Sequence, residues 1–196
     1  MSKPYSAACE NNKGPILDVL REAFADCGQI LEIGSGTGQH AVFFAAELPQ
    51  LLWQTSDLSC NHRGITSWVA ESGLDNVLPP LLLDVSESAW PRGFDGMYTA
   101  NTLHIMAWPL VRDFFLGVGR SLSAGGRLCI YGPFNYRGCY TSDSNAQFDR
   151  WLRQRDPASG IRDIEAVLAL AEAQGLTLIS DHEMPANNRL LVWQRG

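Results

Sequence analysis

The chain has 196 residues, 45% of them hydrophobic, enough to bury a full core without disulfides or metal. Residues 1–196 therefore read as one domain, with a helical lead-in over 1–28 and the core over 29–196. A formal charge of -6, with lysine only at Lys3 and Lys13, argues against nucleic acid and favours a small-molecule partner.

Ile16, Leu17, Leu20, Phe24 and Ala25 recur at helical spacing from Pro15 onward and predict a leading helix. A first strand is expected over Gln29 to Ile33, then a helix from near Thr37 that carries Val42, Phe43, Ala46 and Leu48 and stops at Pro49. Leu51 to Ser56 reads as a buried strand ending at Asp57, Ser59 to Glu71 as a helix, and Val77 to Leu83 as a strand ending at Asp84. Phe94 to Ala100 makes the next strand, after the turn at Gly93. Leu110, Val111, Phe114, Phe115, Val118 and Leu122 share one helix face, and Gly125-Gly126 releases the chain into a strand from Arg127 to Tyr131. This alternation predicts a parallel sheet with right-handed crossovers and a ligand site at the carboxyl ends of its strands. The tail departs from it. Helices around Asn145 to Arg155 and Ile161 to Ala173 precede two strands, Leu176 to His182 and Leu190 to Gln194, that read as a hairpin. No apolar run is long enough for a membrane span and the start lacks a secretory pattern, so a cytoplasmic protein without a membrane partner is expected. Cys9, Cys27, Cys60, Cys129 and Cys139 form no C-x-x-C pair, which fits reduced thiols and no metal site.

The first strand runs into Glu32-Ile33-Gly34-Ser35-Gly36-Thr37-Gly38-Gln39-His40. Glycines let the chain turn sharply and bring backbone N–H groups against a ligand before a helix begins. Dinucleotide-binding dehydrogenases favour G-x-G-x-x-G, whose third glycine would fall at position 39, where this chain has Gln39. The observed G-x-G-x-G after an acidic residue is instead similar to the first motif of class I S-adenosylmethionine-dependent methyltransferases. That resemblance implies an α/β, Rossmann-like fold with a mostly parallel seven-stranded sheet, a C-terminal antiparallel hairpin and helices on both faces. It implies cofactor contacts from Glu32, Gly34, Ser35, Gly36 and Gly38, with S-adenosylmethionine as donor and S-adenosylhomocysteine as product. Asp57 closes the second strand, where a carboxylate accepts hydrogen bonds from both hydroxyls of a ribose, with Leu58 beside it; an N-cap for the following helix is the structural alternative. The same resemblance gives Asp84 the adenine amino group and Val85 the ring, against a plain turn-capping role for Asp84.

The likeness extends along nearly the whole chain, from Ser6 to Trp193. Trp53-Gln54-Thr55-Ser56-Asp57, Ala100-Asn101 with His104-Ile105, Tyr131-Gly132-Pro133-Phe134 and Met184-Pro185-Ala186-Asn187-Asn188 resemble the methyltransferase-like 26 family. On the catalytic side, methyl transfer from a sulfonium needs mainly alignment of the nucleophile. Asn101, His104 and Trp108 occupy the loop after the fourth strand, with Asn101 a cofactor and catalytic candidate. His104 is either a general base near neutral pH or a packed histidine. His40, at a helix start, is either a neutral imidazole that hydrogen-bonds the ligand or a surface residue. Asn12, His40, Trp108, Tyr131, Phe134, Asn145 and Asn187 are the candidate substrate residues. Arg155-Asp156-Pro157 and Arg162-Asp163 read as local ion pairs holding the helices near the site. A methyltransferase acting on a small molecule is the leading expectation; a non-catalytic protein that binds the adenosyl ligand and an NAD-dependent oxidoreductase are the alternatives.

Overall fold

Strands send successive side chains to opposite faces, and in this chain both faces are apolar. The computed structural model, which describes residues 3–196, shows this in β1 (Gln29–Ile33), where Ile30 packs into one apolar layer and Leu31 and Ile33 into the other. In β5 (Leu122–Gly132) Leu128 and Ile130 alternate with Cys129 and Tyr131, and in β9 (Asn188–Arg195) Leu191 and Trp193 alternate with Leu190 and Val192. Ile16 and Leu20 of α1 (Ala7–Ala23) and Phe44 of α2 (Gln39–Glu47) complete the first layer. Phe114 and Phe115 of α4 (Trp108–Ser121) and Val167 of α6 (Ile164–Glu172) complete the second.

With β2 (Leu52–Asp57), β3 (Val77–Leu82), β4 (Phe94–Ala100) and β8 (Leu176–Met184), the seven strands run in the order β3-β2-β1-β4-β5-β9-β8. The first five are parallel and β9 is antiparallel to both β5 and β8, which is the α/β arrangement expected, hairpin included. The chain winds outward from β1 in both directions, to β2 and to β4, so the loops after β1 and β4 flank a topological switch point. Strand β3 is an edge, the place where Pro79 and Pro80 remove the fewest ladder hydrogen bonds.

Several boundaries differ from the sequence expectation. The second helix starts at Gln39 instead of Thr37 because Gly38 is left-handed, with φ of 89°. Gly125-Gly126 does not release the chain into the fifth strand: β5 already begins at Leu122, and the pair lies in a bulge where the partners shift from Phe94↔Leu122 to Gly96↔Arg127. The expected helix from Ile161 is shorter, since β7 (Arg162–Asp163) runs extended and pairs with β6 (Phe134–Asn135). Helices α3 (Ser59–Ser72) and α5 (Asp143–Arg155) complete the chain. Among the described residues no helix is long and apolar enough to cross a membrane.

Candidate functional site

The loops after β1, β2, β3 and β4 meet at the carboxyl ends of the parallel strands and enclose a cleft with two lobes. The outer lobe, about 220 Å³, is lined by Asp57, Leu58, Asp84, Val85, Thr102, Ile105 and others; the inner lobe, about 180 Å³, is lined by Glu32, Ser35, Gly36, His40, Asn101 and others, and Gly34 borders both. Together they fall in the range of roughly 300–1,000 Å³ typical of small-molecule sites. A side chain at Gly34 would close the junction, because its Cβ would lie 2.9 Å from Thr102 Cγ2 and φ there is +73°.

The glycine turn is held from below, and this corrects one expectation. The amides of Gly34 and Ser35 both donate to Ser56 O (3.0 and 2.9 Å), and that of Gly38 donates to Ser35 O at 2.9 Å. Gly36 N–H donates to Asp57 Oδ2 at 2.7 Å. These amides are therefore spent inside the protein and leave side chains as the main recognition groups. Asp57 Oδ1 accepts from Leu58 N–H (2.7 Å) and Asn61 Nδ2 (2.9 Å). Three donors thus meet a carboxylate that has about four acceptor positions, so Asp57 both caps the turn and keeps acceptor capacity at the outer lobe. Asp84 Oδ1 accepts from the backbone N–H and hydroxyl of Ser86 (3.0 and 2.8 Å), which hold this carboxyl below its usual range. Both of these bonds use Oδ1, and Asp84 also lines the outer lobe.

The inner lobe is lined by buried polar groups. Glu32 is 2% exposed; its Oε2 accepts from Ser35 Oγ at 3.0 Å and Trp53 Nε1 at 3.1 Å. Burial pushes this carboxyl up to about 7, against the lowering effect of those two hydrogen bonds. His40 Nε2 pairs with Asn12 Oδ1 at 2.7 Å and Nδ1 with Tyr98 Oη at 3.3 Å. Burial holds His40 down at about 4, so the expected neutral imidazole is present through desolvation. Asn12 lies behind it on α1, and Tyr131 Oη accepts from Asn188 Nδ2 at 3.0 Å, joining β5 to the hairpin. Asn101 sits at φ of +58°, its N–H donating to Tyr131 O at 2.8 Å, a strained backbone at the lobe's rim.

Other candidates lie elsewhere. His104 lines neither lobe: it is 5% exposed, packs edge-on against Phe148 with ring centroids 5.4 Å apart, and is held down at about 4 by burial and the charge of Arg162. Phe134 is 1% exposed in the apolar core, where its ring packs rather than recognises. Asn145 donates to Thr141 Oγ1 and Asn187 O (2.9 and 3.0 Å), and Asn187 Nδ2 donates to Ser144 Oγ, so this pair fastens α5 to the hairpin turn. Trp108 starts α4 and packs against the core. Sequence reasoning missed Ser6, Cys9 and Thr37 in the inner lobe and Thr102, Ile105, Met106 and Leu110 in the outer. Ser6 carried a signal, as the N-cap whose Oγ accepts from Cys9 N–H; the apolar outer residues carried none that distinguishes them from core.

A model of the family described as "Protein of unknown function (DUF938)" matches residues 3–195. Among solved structures, the chain is similar to an O-methyltransferase family protein from Burkholderia thailandensis, at 17% identity and a TM-score of 0.81, covering 94% of this chain and 56% of that one. It is similar to an O-methyltransferase family 2 protein from Planctomyces limnophilus in complex with apigenin (16% identity, TM-score 0.85, 96% and 58% covered). A third is described as PigF with SAH (16%, 0.79, 92% and 55%). The chain spans just over half the length of these proteins, and at such identities the likeness establishes the fold.

Proposed function

We propose, for a chain that belongs to the DUF938 family of proteins of unknown function, that its cleft binds S-adenosylmethionine and that the protein transfers the donor's methyl group to a small-molecule acceptor. The observation that carries this reading is the two-lobed cleft at the switch point, with Asp57 and Asp84 on the outer lobe and Glu32 on the inner. The names of the similar structures and the resemblance to the methyltransferase-like 26 family support it. So does the fit of the residues: a cradle at Gly34 that any side chain would fill, an acceptor at a strand end suited to a ribose, and a buried carboxylate suited to an ammonium group.

In this reading Asp57 and Leu58 hold the ribose, Asp84 and Val85 the adenine, and Glu32, Ser35 and Asn101 the amino-acid end, while Gly36 and Gly38 shape the turn. The bound sulfonium supplies a methyl group already activated for displacement. The chain's own part is to orient the acceptor and exclude water, and positioning of this kind lowers a barrier by roughly 7 to 11 kcal/mol. His40 presents a neutral imidazole whose ring nitrogens are both engaged, by Asn12 and Tyr98, so it orients a neighbour by polarity instead of taking its proton. A cytoplasmic location in one domain belongs to the same reading. The test is thermal-shift titration with S-adenosylmethionine, S-adenosylhomocysteine and NAD in parallel. Stabilisation by the two adenosyl ligands, about 2.7 kcal/mol at 100 times the dissociation constant, is the expected result, and preferential stabilisation by NAD overturns it. Binding without product from any acceptor moves the protein to the non-catalytic alternative.

A further inference from the structure

The wall of the outer lobe contributed by Thr102, Ile105 and Met106 belongs to the loop between β4 and α4. Outside a regular helix or strand, such carbonyls need partners if they are buried. Here four consecutive carbonyls find them in one short strap. Leu103 O accepts from Arg162 Nε at 3.0 Å, His104 O from Gly160 N–H at 2.9 Å, and Ile105 O from Ser159 Oγ at 3.1 Å, while Met106 O accepts from Arg162 Nη2. The same Nη2 reaches Ala158 O at 3.1 Å.

The strap is itself anchored. Asp149 on α5, 2% exposed, accepts from Ile161 N–H at 2.6 Å, and its carboxylate also takes Arg153 Nε (2.7 Å) and Tyr140 Oη (2.8 Å). Gly160 permits the close approach, since a Cβ there would meet Arg153 Nη2 at 2.6 Å. The ion pair expected between Arg162 and Asp163 is absent: among the described residues no carboxylate lies within ion-pair distance of Arg162, whose N–H groups go to backbone carbonyls. A half-buried guanidinium committed to the outer side of a pocket wall does more than solubilise the surface.

We infer that Arg162 is a positioning residue for the nucleoside lobe, holding the 103–106 wall through its carbonyls so that Ile105 and Met106 stand where the adenosyl ligand packs. This rests on the S-adenosylmethionine reading. Without the clamp the wall samples open states, and apparent affinity falls by the fraction of time it is closed.

The experiment compares wild type, Arg162→Gln, Arg162→Lys and the milder Ser159→Ala by two readouts at a temperature where all are folded. These are amide hydrogen exchange of residues 102–107 without ligand and the calorimetric dissociation constant for S-adenosylhomocysteine. In Arg162→Gln, exchange in the loop rises about tenfold with the sheet unchanged, and affinity drops about tenfold. Arg162→Lys recovers part of both, and Ser159→Ala moves both in the same direction by less. A change in melting temperature alone, with loop exchange and affinity at wild-type values, overturns the inference. So does faster loop exchange with unchanged affinity. Failure of the wild type itself to bind S-adenosylhomocysteine overturns the functional reading first, and the inference with it.

Discussion

Replacing Asp57 by alanine removes a carboxylate with two jobs, and the structure separates their sizes. The carboxylate accepts from Gly36 N–H, Leu58 N–H and Asn61 Nδ2, which leaves about one of its four acceptor positions for a ribose hydroxyl. A hydrogen bond to an ionised group is worth roughly 1.5 to 3 kcal/mol, so Asp57→Ala should weaken binding of S-adenosylhomocysteine by about tenfold to a hundredfold. The lost turn contacts add a stability cost of about 2 kcal/mol, since water from the cleft can reach the freed N–H groups, and the melting temperature should drop by roughly 4 to 8 °C. Asp57→Asn keeps the volume but must turn its NH₂ toward one of the three donors, and should lose affinity while losing less stability. Isothermal calorimetry at 15 °C, on protein shown to be folded, reads the affinity directly. A dissociation constant within about twofold of wild type in folded Asp57→Ala would remove this residue from the site, because the remaining acceptor would then be unused.

Burial raises the Glu32 carboxyl to about 7 from its ordinary 4.5, so the folded state holds its proton more tightly and the stability contribution falls as pH rises from about 4.5 to 7. Glu32→Gln should therefore gain up to about 3 kcal/mol at pH 8 and little at pH 4.5 in chemical denaturation, while losing ligand affinity; equal effects at both pH values would contradict the buried charge. His104, held down at about 4, contributes stability that is complete above pH 6.5 and lost as pH falls toward 4, so His104→Leu should compare better with wild type at pH 4.5 than at pH 7.5. Because His104 lines neither lobe, this variant should bind S-adenosylhomocysteine within about threefold of wild type; a collapse of affinity in folded protein whose 102–107 amides exchange as in wild type would place the histidine at the ligand. Gly34→Ala meets Thr102 and forces a β-carbon into a left-handed backbone, and should cost about 2 kcal/mol and abolish measurable binding; unchanged affinity would show that the lobes do not meet there.

The sheet was legible because apolar runs of strand length are punctuated by polar residues that cannot continue them. Asp57 and Asp84 announced the ends of β2 and β3, and both stand on the outer lobe. Misreadings fell where local pattern has no access to the partner. Gly125-Gly126 looks like a turn in one dimension, but the neighbouring strand absorbs it as a bulge. Asn145 and Asn187 carry groups suited to recognition, and only the packing of α5 on the hairpin shows that their amides bond to the protein; the packing of α5 on the β4–α4 loop likewise gives His104 the packed position, one of the two left open by the sequence. Arg162 next to Asp163 suggested an ion pair, yet backbone carbonyls from a loop more than fifty residues away take its donors. The wall of Ile105, Met106 and Leu110 escaped notice because an apolar side chain lining a pocket has the same composition as one filling a core.

A crystal structure of the protein with S-adenosylhomocysteine would show directly whether the cleft is the adenosyl site. Adenine in the outer lobe against Leu58, Val85 and Ile105, a ribose hydroxyl on Asp57 and the amino group near Glu32 is the predicted result. Ligand bound elsewhere, or bound with Asp57 and Glu32 both out of contact, would contradict it.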